Sequence, residues 1–450
     1  ANSNVEIPTG CPYYPVLNVS AGVKNLTMGV NATVNLNGKL FTISGSITKD
    51  ATAYIVASTA NSELYMSGST AQTIPSGFIQ SNNISKFTVE NAAGVTTNDA
   101  MDIYQTLLVK SGNFATNDIV TMICGFSPRK TAQIGKLDGT ISGKIEVQQC
   151  YPGKRAYRFL TASTTTTTNI RENWQENASA WNNNPVSGFG THITGLGSSG
   201  PDTNDGINGF DWQVTGAPSL FGYNNATQAW TTITNTNVNT LTAGVPYRML
   251  LRGSRAVNLL SNASATSNTV LRSTGTIVKG PVAVSGLSSV SNAYNFVGNP
   301  FHAAVNMGPV LNRATNLTQF MYVWDPTLST RGAYVTVNTA NNTNNNGSSQ
   351  ANRNLQPYQA VFIQTSTLGV APALNFLESD KVVTETQTNI FRLNNTDTDS
   401  EFDNFQDVFV GNPYLNVTLH RVSENEIKPL DGARIDFMID GSNEIDIFDA

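Results

Sequence analysis

Two stretches of this chain carry oxygen ligands at spacings that suit a hard cation. Asp202-Thr-Asn-Asp-Gly-Ile-Asn-Gly-Phe-Asp211 offers Asp202, Asn204, Asp205 and Asp211, and towards the C-terminal end Asp397, Asp399, Glu401 and Asp403 occupy alternate positions. Calcium takes about six to eight oxygens from closely spaced Asp, Asn and backbone carbonyls, so Ca2+ is the one cofactor these residues suggest. Neither stretch has EF-hand spacing. A Gly-rich loop explains the first equally well, and a solvated or aggregation-blocking strand face explains the second. Cleavage of a glycosidic bond needs two or three carboxylates converging on one face, and Asp99, Asp102 and Asp118 are the nearest candidates. Their expected role is that of solvated corner residues.

The remaining reactive side chains do not assemble into a motif. His192, His302 and His420 are far apart and have no Ser or Cys elbow near them, which gives a nucleophilic triad little support. His302 directly follows an Asn-Pro turn and reads as a strand-end residue. Cys11, Cys124 and Cys150 lack CxxC or Cys/His spacing, which argues against zinc. They read as three buried small apolar residues, with one bridge plus a spare thiol as the alternative. No catalysis is expected. The enzymatic alternative is a β-helix polysaccharide lyase or glycosidase, and a carbohydrate-binding alternative would have exposed Trp174, Trp181, Trp212, Trp230 or Trp324 stacking on sugars.

What would position such residues is an all-β scaffold. Only 13% of the 450 residues are charged, and Thr, Asn, Ser and Gly replace the missing charge. Thr, Val, Ile, Tyr and Phe, which fit a pleated and half-buried surface, are abundant. The net charge of −5 is unevenly distributed: nine Lys/Arg against nine Asp/Glu in 1–150, twelve against six in 151–375, and five against sixteen in 376–450. The basic excess of the middle is scattered, so a nucleic-acid partner is not expected. No apolar run approaches the roughly 18 residues of a membrane span, and the first residues contain no signal peptide. If the protein is exported, residue 1 is already a processed or excised end.

Residues 1–150 repeat short apolar triplets, such as Leu26-Thr-Met28, Phe41-Thr-Ile43, Leu64-Tyr-Met66 and Phe87-Thr-Val89, with turn residues between them. Asn25-Leu-Thr-Met-Gly-Val-Asn-Ala-Thr-Val34 matches Lys86-Phe-Thr-Val-Glu-Asn-Ala-Ala-Gly-Val95 at an offset of 61, which three coils of about 20 residues would produce. The pattern predicts a parallel β-helix, a solenoid whose open ends need covering. An antiparallel sandwich is the alternative.

Residues 151–375 read as a duplicated, aromatic-rich β-sandwich with halves of about 151–285 and 286–375. Tyr157-Arg-Phe-Leu160 matches Tyr294-Asn-Phe-Val297, and Phe221-Gly-Tyr223 with Trp230-Thr-Thr-Ile233 matches Tyr322-Val-Trp324 with Tyr334-Val-Thr-Val337. Pro246-Tyr-Arg-Met-Leu-Leu251 and Pro357-Tyr-Gln-Ala-Val-Phe-Ile363 complete the series as strands expected to be buried on both faces. The Thr164 to Thr168 run and the Asn341 to Gln350 segment read as exposed connections. Residues 376–450 form an acidic β module with strands at Tyr414–Val422 and Ala433–Ile439, and it looks cut off before a closing element. Phe296-Val-Gly-Asn-Pro-Phe301 recurs as Phe409-Val-Gly-Asn-Pro-Tyr414, which points to a structural turn rather than a binding site.

Taken in order, Asn4-Val-Glu-Ile-Pro8, Tyr14-Pro-Val-Leu17, Ala71-Gln-Thr-Ile-Pro75, Lys154-Arg-Ala-Tyr-Arg-Phe-Leu-Thr161, Asn173-Trp-Gln-Glu176, Phe296-Val-Gly-Asn-Pro-Phe301, Tyr322-Val-Trp-Asp-Pro326, Arg331-Gly-Ala-Tyr334 and Pro429-Leu-Asp-Gly-Ala433 resemble the modular surface proteins of Bacteroidota exported by the type 9 secretion system. That resemblance implies an extracellular or cell-surface protein serving adhesion, surface-layer construction or gliding motility. Its partners would be the secretion machinery, other surface proteins or glycans. A self-assembling filament subunit, a homo-polymer, is a further alternative. The C-terminal sorting domain of that family is not found in these residues.

Overall fold

The computed structural model describes residues 3–125, 130–261, 263–367, 369–383, 414–423 and 426–436. The chain divides into two units, Ala1–Thr396 and Asp397–Ala450. Strands dominate the described residues, as the composition predicts, with two short α-helices at Ile170–Trp174 and Met307–Arg313.

From Val5 to Tyr151 the chain winds through about six turns of a three-faced parallel β-solenoid. On the first face Val5, Leu26 and Ile47 lie in register, followed further along by Gln72, Val95, Phe114 and Ile141. The second face stacks Val34, Ile55 and Ile79, then Met101, Val120 and Ile145. The third stacks Ala21, Phe41, Leu64, Phe87, Leu107 and Ile134. Side chains alternate inward and outward along each strand, so every coil delivers its apolar residues to one continuous core. Burying each such Leu, Ile or Phe stabilises the fold by about 1.5–3 kcal/mol. The match at an offset of 61 does not count coils, because Leu26 lies on the first face and Phe87 on the third. What recurs is strand alternation plus corner chemistry, and the same short pattern serves more than one face.

The corners explain the Asn and Gly content. Asn31, Asn37, Asn61 and Asn117 all adopt left-handed backbone, which Asn tolerates better than most residues. At Gly112 a Cβ would fall 1.8 Å from the Asn91 carbonyl oxygen of the preceding coil, so only glycine fits.

Later chain covers the far end of the solenoid. Strand Ile145–Tyr151 pairs in parallel with Val120–Met122 on one edge and antiparallel with Thr269–Ile277 on the other. Tyr358, itself at a φ of 63°, inserts its ring into the solenoid core, and its hydroxyl donates to the Val147 carbonyl at 2.9 Å. On the third face Ile134 N–H donates to the carbonyl of His302, and Leu137 N–H donates to Glu378 at 2.7 Å. The exposed backbone expected at a solenoid end is thereby paired.

Two expectations are corrected nearby. Cys124 and Cys150 form a disulfide and are not reduced core residues, while Cys11 is free. The Thr164 to Thr168 run is not an exposed connection: Thr164 and Thr166 are buried, and Thr164–Thr165 pairs with Thr276 and Ile277. Its buried hydroxyls are hydrogen-bonded, Thr164 to Ser273 and Thr166 to the Thr168 carbonyl, which removes the penalty of burying them.

Each half of the duplicated region supplies one antiparallel sheet, and the strand orders correspond. The first runs Ala156–Thr161, Pro246–Leu251, Leu220–Asn224, Ala229–Thr232; the second runs Tyr294–Gly298, Ala360–Thr365, Leu317–Asp325, Ala333–Asn338, with Thr343–Asn344 added at the edge. Register agrees as well. Phe159 opposes Arg248, which opposes Phe221, and in the second sheet Phe296 opposes Phe362, which opposes Tyr322. Each sheet has its own core behind it, and the two meet through an aromatic seam. Strand Ala360–Thr365 is buried on both faces as expected, whereas Pro246–Leu251 alternates, because Arg248 brings a half-buried cation to the seam.

In the second unit Tyr414–Ser423 and Glu426–Asp436 form an antiparallel hairpin. The second strand starts earlier than the sequence suggests and includes Pro429, beside a register shift between Leu419 and His420. A bulge is where a strand accommodates proline.

Candidate functional site

The seam is built around Phe159. Its ring centroid lies 5.0 Å from Phe296, 5.6 Å from Trp230, 5.6 Å from Phe362 and 5.8 Å from Trp324, mostly in tilted or edge-on geometry. Such arrangements match the positive ring edge to the negative face. Trp324 Nε1 crosses to donate to the Tyr157 carbonyl at 2.9 Å. On the other side Asn225 and Gln228, from the turn between Leu220–Asn224 and Ala229–Thr232, accept the N–H groups of Phe296 and Tyr294. Gly298 explains one glycine of the Val-Gly-Asn-Pro motif: a Cβ there would lie 2.6 Å from the Gly244 carbonyl and 2.7 Å from Thr161.

Along this seam opens a groove of about 430 Å3 lined by Tyr223, Gln228, Trp230, Tyr294, Tyr322, Tyr334 and Phe362. Both sheets contribute. Tyr294 and Tyr334 are exposed, and Tyr294 meets Tyr322 edge-on at 5.1 Å. Partial desolvation against the neighbouring rings raises the phenol pKa of Tyr223, Tyr322 and Tyr334, so these hydroxyls stay neutral donors and acceptors. None of the lining residues is charged at neutral pH. Aromatic faces with a few oriented polar groups and no carboxylate can bind and orient a ligand, but offer no acid–base pair.

The calcium-type loop uses its side chains otherwise. Asp205 accepts the backbone N–H groups of Trp181 and Trp212 at 2.9 and 2.8 Å, and Asn204 donates to the Ser199 carbonyl. Asp202 lies exposed in a 3-10 turn. Asp211 is buried and forms a two-point ion pair with Arg255 at 2.8 and 3.0 Å. Burial pushes its carboxyl up, but His192 and the Arg255 guanidinium beside it hold it well below the usual carboxylate range. Among the described residues no three His, Cys, Asp or Glu side chains are grouped to hold a metal ion. Asp397, Asp399, Glu401 and Asp403 lie outside the described residues, as do residues 409–413 of the second Val-Gly-Asn-Pro motif.

Asp99, Asp102 and Asp118 have separate duties. Asp99 is buried and accepts the N–H groups of Gly77 and Ile79, so it braces a corner from inside, unlike the solvated residue expected. Asp118 accepts the N–H of Lys144 on the next coil. Asp102 stands on the second face, where burial and Glu146 raise its pKa; Tyr104 is pushed up to about 12. Glu146 is in turn 3.5 Å from Arg272, which also binds Glu176.

His192 and His302 serve as packing residues. His192 Nε2 bonds the Val257 carbonyl at 3.0 Å, 3.8 Å from Asp211 on its other side, with both residues buried. His302 is not a strand end: it is buried at the solenoid junction against Tyr358, and burial lowers its pKa to about 3. His420 sits on strand Tyr414–Ser423. Of the five tryptophans none is fully exposed. Trp174 is a core residue, Trp212 is buried against Trp181, and only Trp230 lines the groove. The tyrosines of the groove were not singled out by sequence as a site, although Tyr223, Tyr294, Tyr322 and Tyr334 all sit inside the duplicated segments that were. The Asn299 turn is a structural clamp, with Nδ2 bonded to the carbonyls of Ala303, Leu355 and Gln356.

No protein-family model, curated protein or solved structure matches this chain.

Proposed function

We propose that this chain is a non-catalytic adhesive module of an exported cell-surface protein, in which the solenoid is a rigid stalk and the aromatic groove is the binding face. The observation that carries the reading is the groove itself, an open aromatic surface shared by two sheets whose lining includes no carboxylate or other charged group. Export by a type 9 route, and a Bacteroidota source, rest on the sequence resemblance. The Cys124–Cys150 bridge supports an oxidising destination, because disulfides persist mainly outside the cytosol. A glycan-binding reading is favoured by one specific feature, the placement of Trp230 with four tyrosines in one groove.

Antibody labelling of intact producing cells tests the reading. Labelling of unpermeabilised cells, lost after brief protease shaving, is the expected result. Labelling that requires permeabilisation would overturn the surface assignment.

A further inference from the structure

The two sheets place corresponding residues around two corresponding sites, and only one of them is open. Strand register equates Tyr157 with Tyr294, Phe221 with Tyr322, Trp230 with Tyr334, and Arg248 with Phe362. In the first copy the Arg248 guanidinium fills the aromatic box, with its carbon 4.8 Å from the Tyr157 ring centroid, 4.4 Å from Phe221 and 4.1 Å from Trp230. No carboxylate forms a salt bridge with Arg248 among the described residues, and its Nε is buried with no hydrogen-bond partner. The box therefore holds a half-buried cation against ring faces, with no carboxylate beside it.

In the second copy Phe362 replaces that arginine. Its ring turns into the seam, stacked on Phe296 at 4.7 Å and edge-on to Tyr223 at 4.9 Å. The box made by Tyr294, Tyr322 and Tyr334 is left open, and it is the groove.

We propose that this groove takes the guanidinium of an arginine side chain from a partner polypeptide, in the place that Arg248 fills in the first copy. The inference rests on the adhesive reading and names the ligand class of that site. Guanidinium suits it better than ammonium: it is planar, more weakly hydrated and stacks on rings, so it loses less on leaving water where no carboxylate compensates. At about 430 Å3 the groove also has room for peptide backbone flanking that side chain.

The test is calorimetric titration of the full chain with the peptide Gly-Gly-Arg-Gly-Gly, its lysine counterpart, tetramethylammonium and cellohexaose. The proposal expects one site for the arginine peptide, at least fivefold tighter than for lysine or tetramethylammonium, with no cellohexaose binding. Tyr322→Leu should weaken it at least tenfold. Phe362→Arg should abolish it by supplying a guanidinium from within, a change whose fold the first copy already accommodates. Arg248→Phe should open the first box and raise the stoichiometry from one to two. Preference for tetramethylammonium or cellohexaose, equal weak binding of all probes, or binding unchanged by Phe362→Arg would overturn it. Failure of these titrations with intact cells still labelled sinks the ligand class alone, whereas unlabelled intact cells sink the surface reading whatever the titrations show.

Discussion

Replacing Tyr358 separates the packing that seals the solenoid from the hydrogen bonds that accompany it. Tyr358→Phe keeps the ring but removes the hydroxyl, which donates to Val147 at 2.9 Å and lies 3.2 Å from the Ser273 hydroxyl. Losing these buried contacts should cost about 1–2 kcal/mol. Tyr358→Ala also removes a fully buried ring from the solenoid core, for a total of about 3–5 kcal/mol. Both replacements carry a Cβ, so the cost of the left-handed backbone at this position is common to both. Hydrogen exchange read by mass spectrometry on peptides from 133–151 and 269–277 reports the local opening energy. Exchange there should accelerate modestly in the Phe variant and by at least a further tenfold in the Ala variant, with peptides from the first coils little changed. Equal effects of the two variants, or faster exchange confined to the two sheets, would refute the plug.

Four further outcomes follow from buried contacts. Arg255→Met leaves Asp211 charged and unpaired in the interior and should destabilise the unit by about 3–5 kcal/mol in urea denaturation, with part of the loss recovered by adding Asp211→Leu. Because the folded carboxyl of Asp211 titrates below its unfolded value, its contribution is complete above about pH 4 and is lost as pH falls through the folded value. Asp211→Asn should therefore flatten the acid end of the stability profile, as followed by circular dichroism. Cys124→Ser with Cys150→Ser opens a loop spanning 26 residues and should cost about 3 kcal/mol, with the same loss on reduction of the wild type. Phe159→Ala empties the centre of the seam, costs about 3–5 kcal/mol, and should shift tryptophan emission to the red through Trp230 and Trp324.

The scaffold was legible because its signals are local. Apolar triplets between Asn and Gly corners gave the solenoid, and the ordered aromatic matches gave two sheets of equal strand order. The repeat at an offset of 61 misled because faces of a β-solenoid share one alternation, so sequence similarity alone does not say which face a strand occupies. Side-chain partners were the illegible part. Asp211 looked like a calcium ligand because nothing in its own stretch announces Arg255, 44 residues later. Thr164 looked solvated because Ser273, which satisfies it, lies 109 residues away. The groove was partly visible, as aromatic residues at equivalent places in the two halves. That Arg248 and Phe362 occupy one position, and so close one box and open the other, required the strand register.

Bead detachment under flow reads whether the groove is an adhesive face. Beads coated with the full chain, settled on the cells that produce it, should resist at least tenfold higher shear than beads carrying the Phe362→Arg variant. Equal detachment of the two, or no adhesion of wild-type beads above uncoated controls, would contradict it.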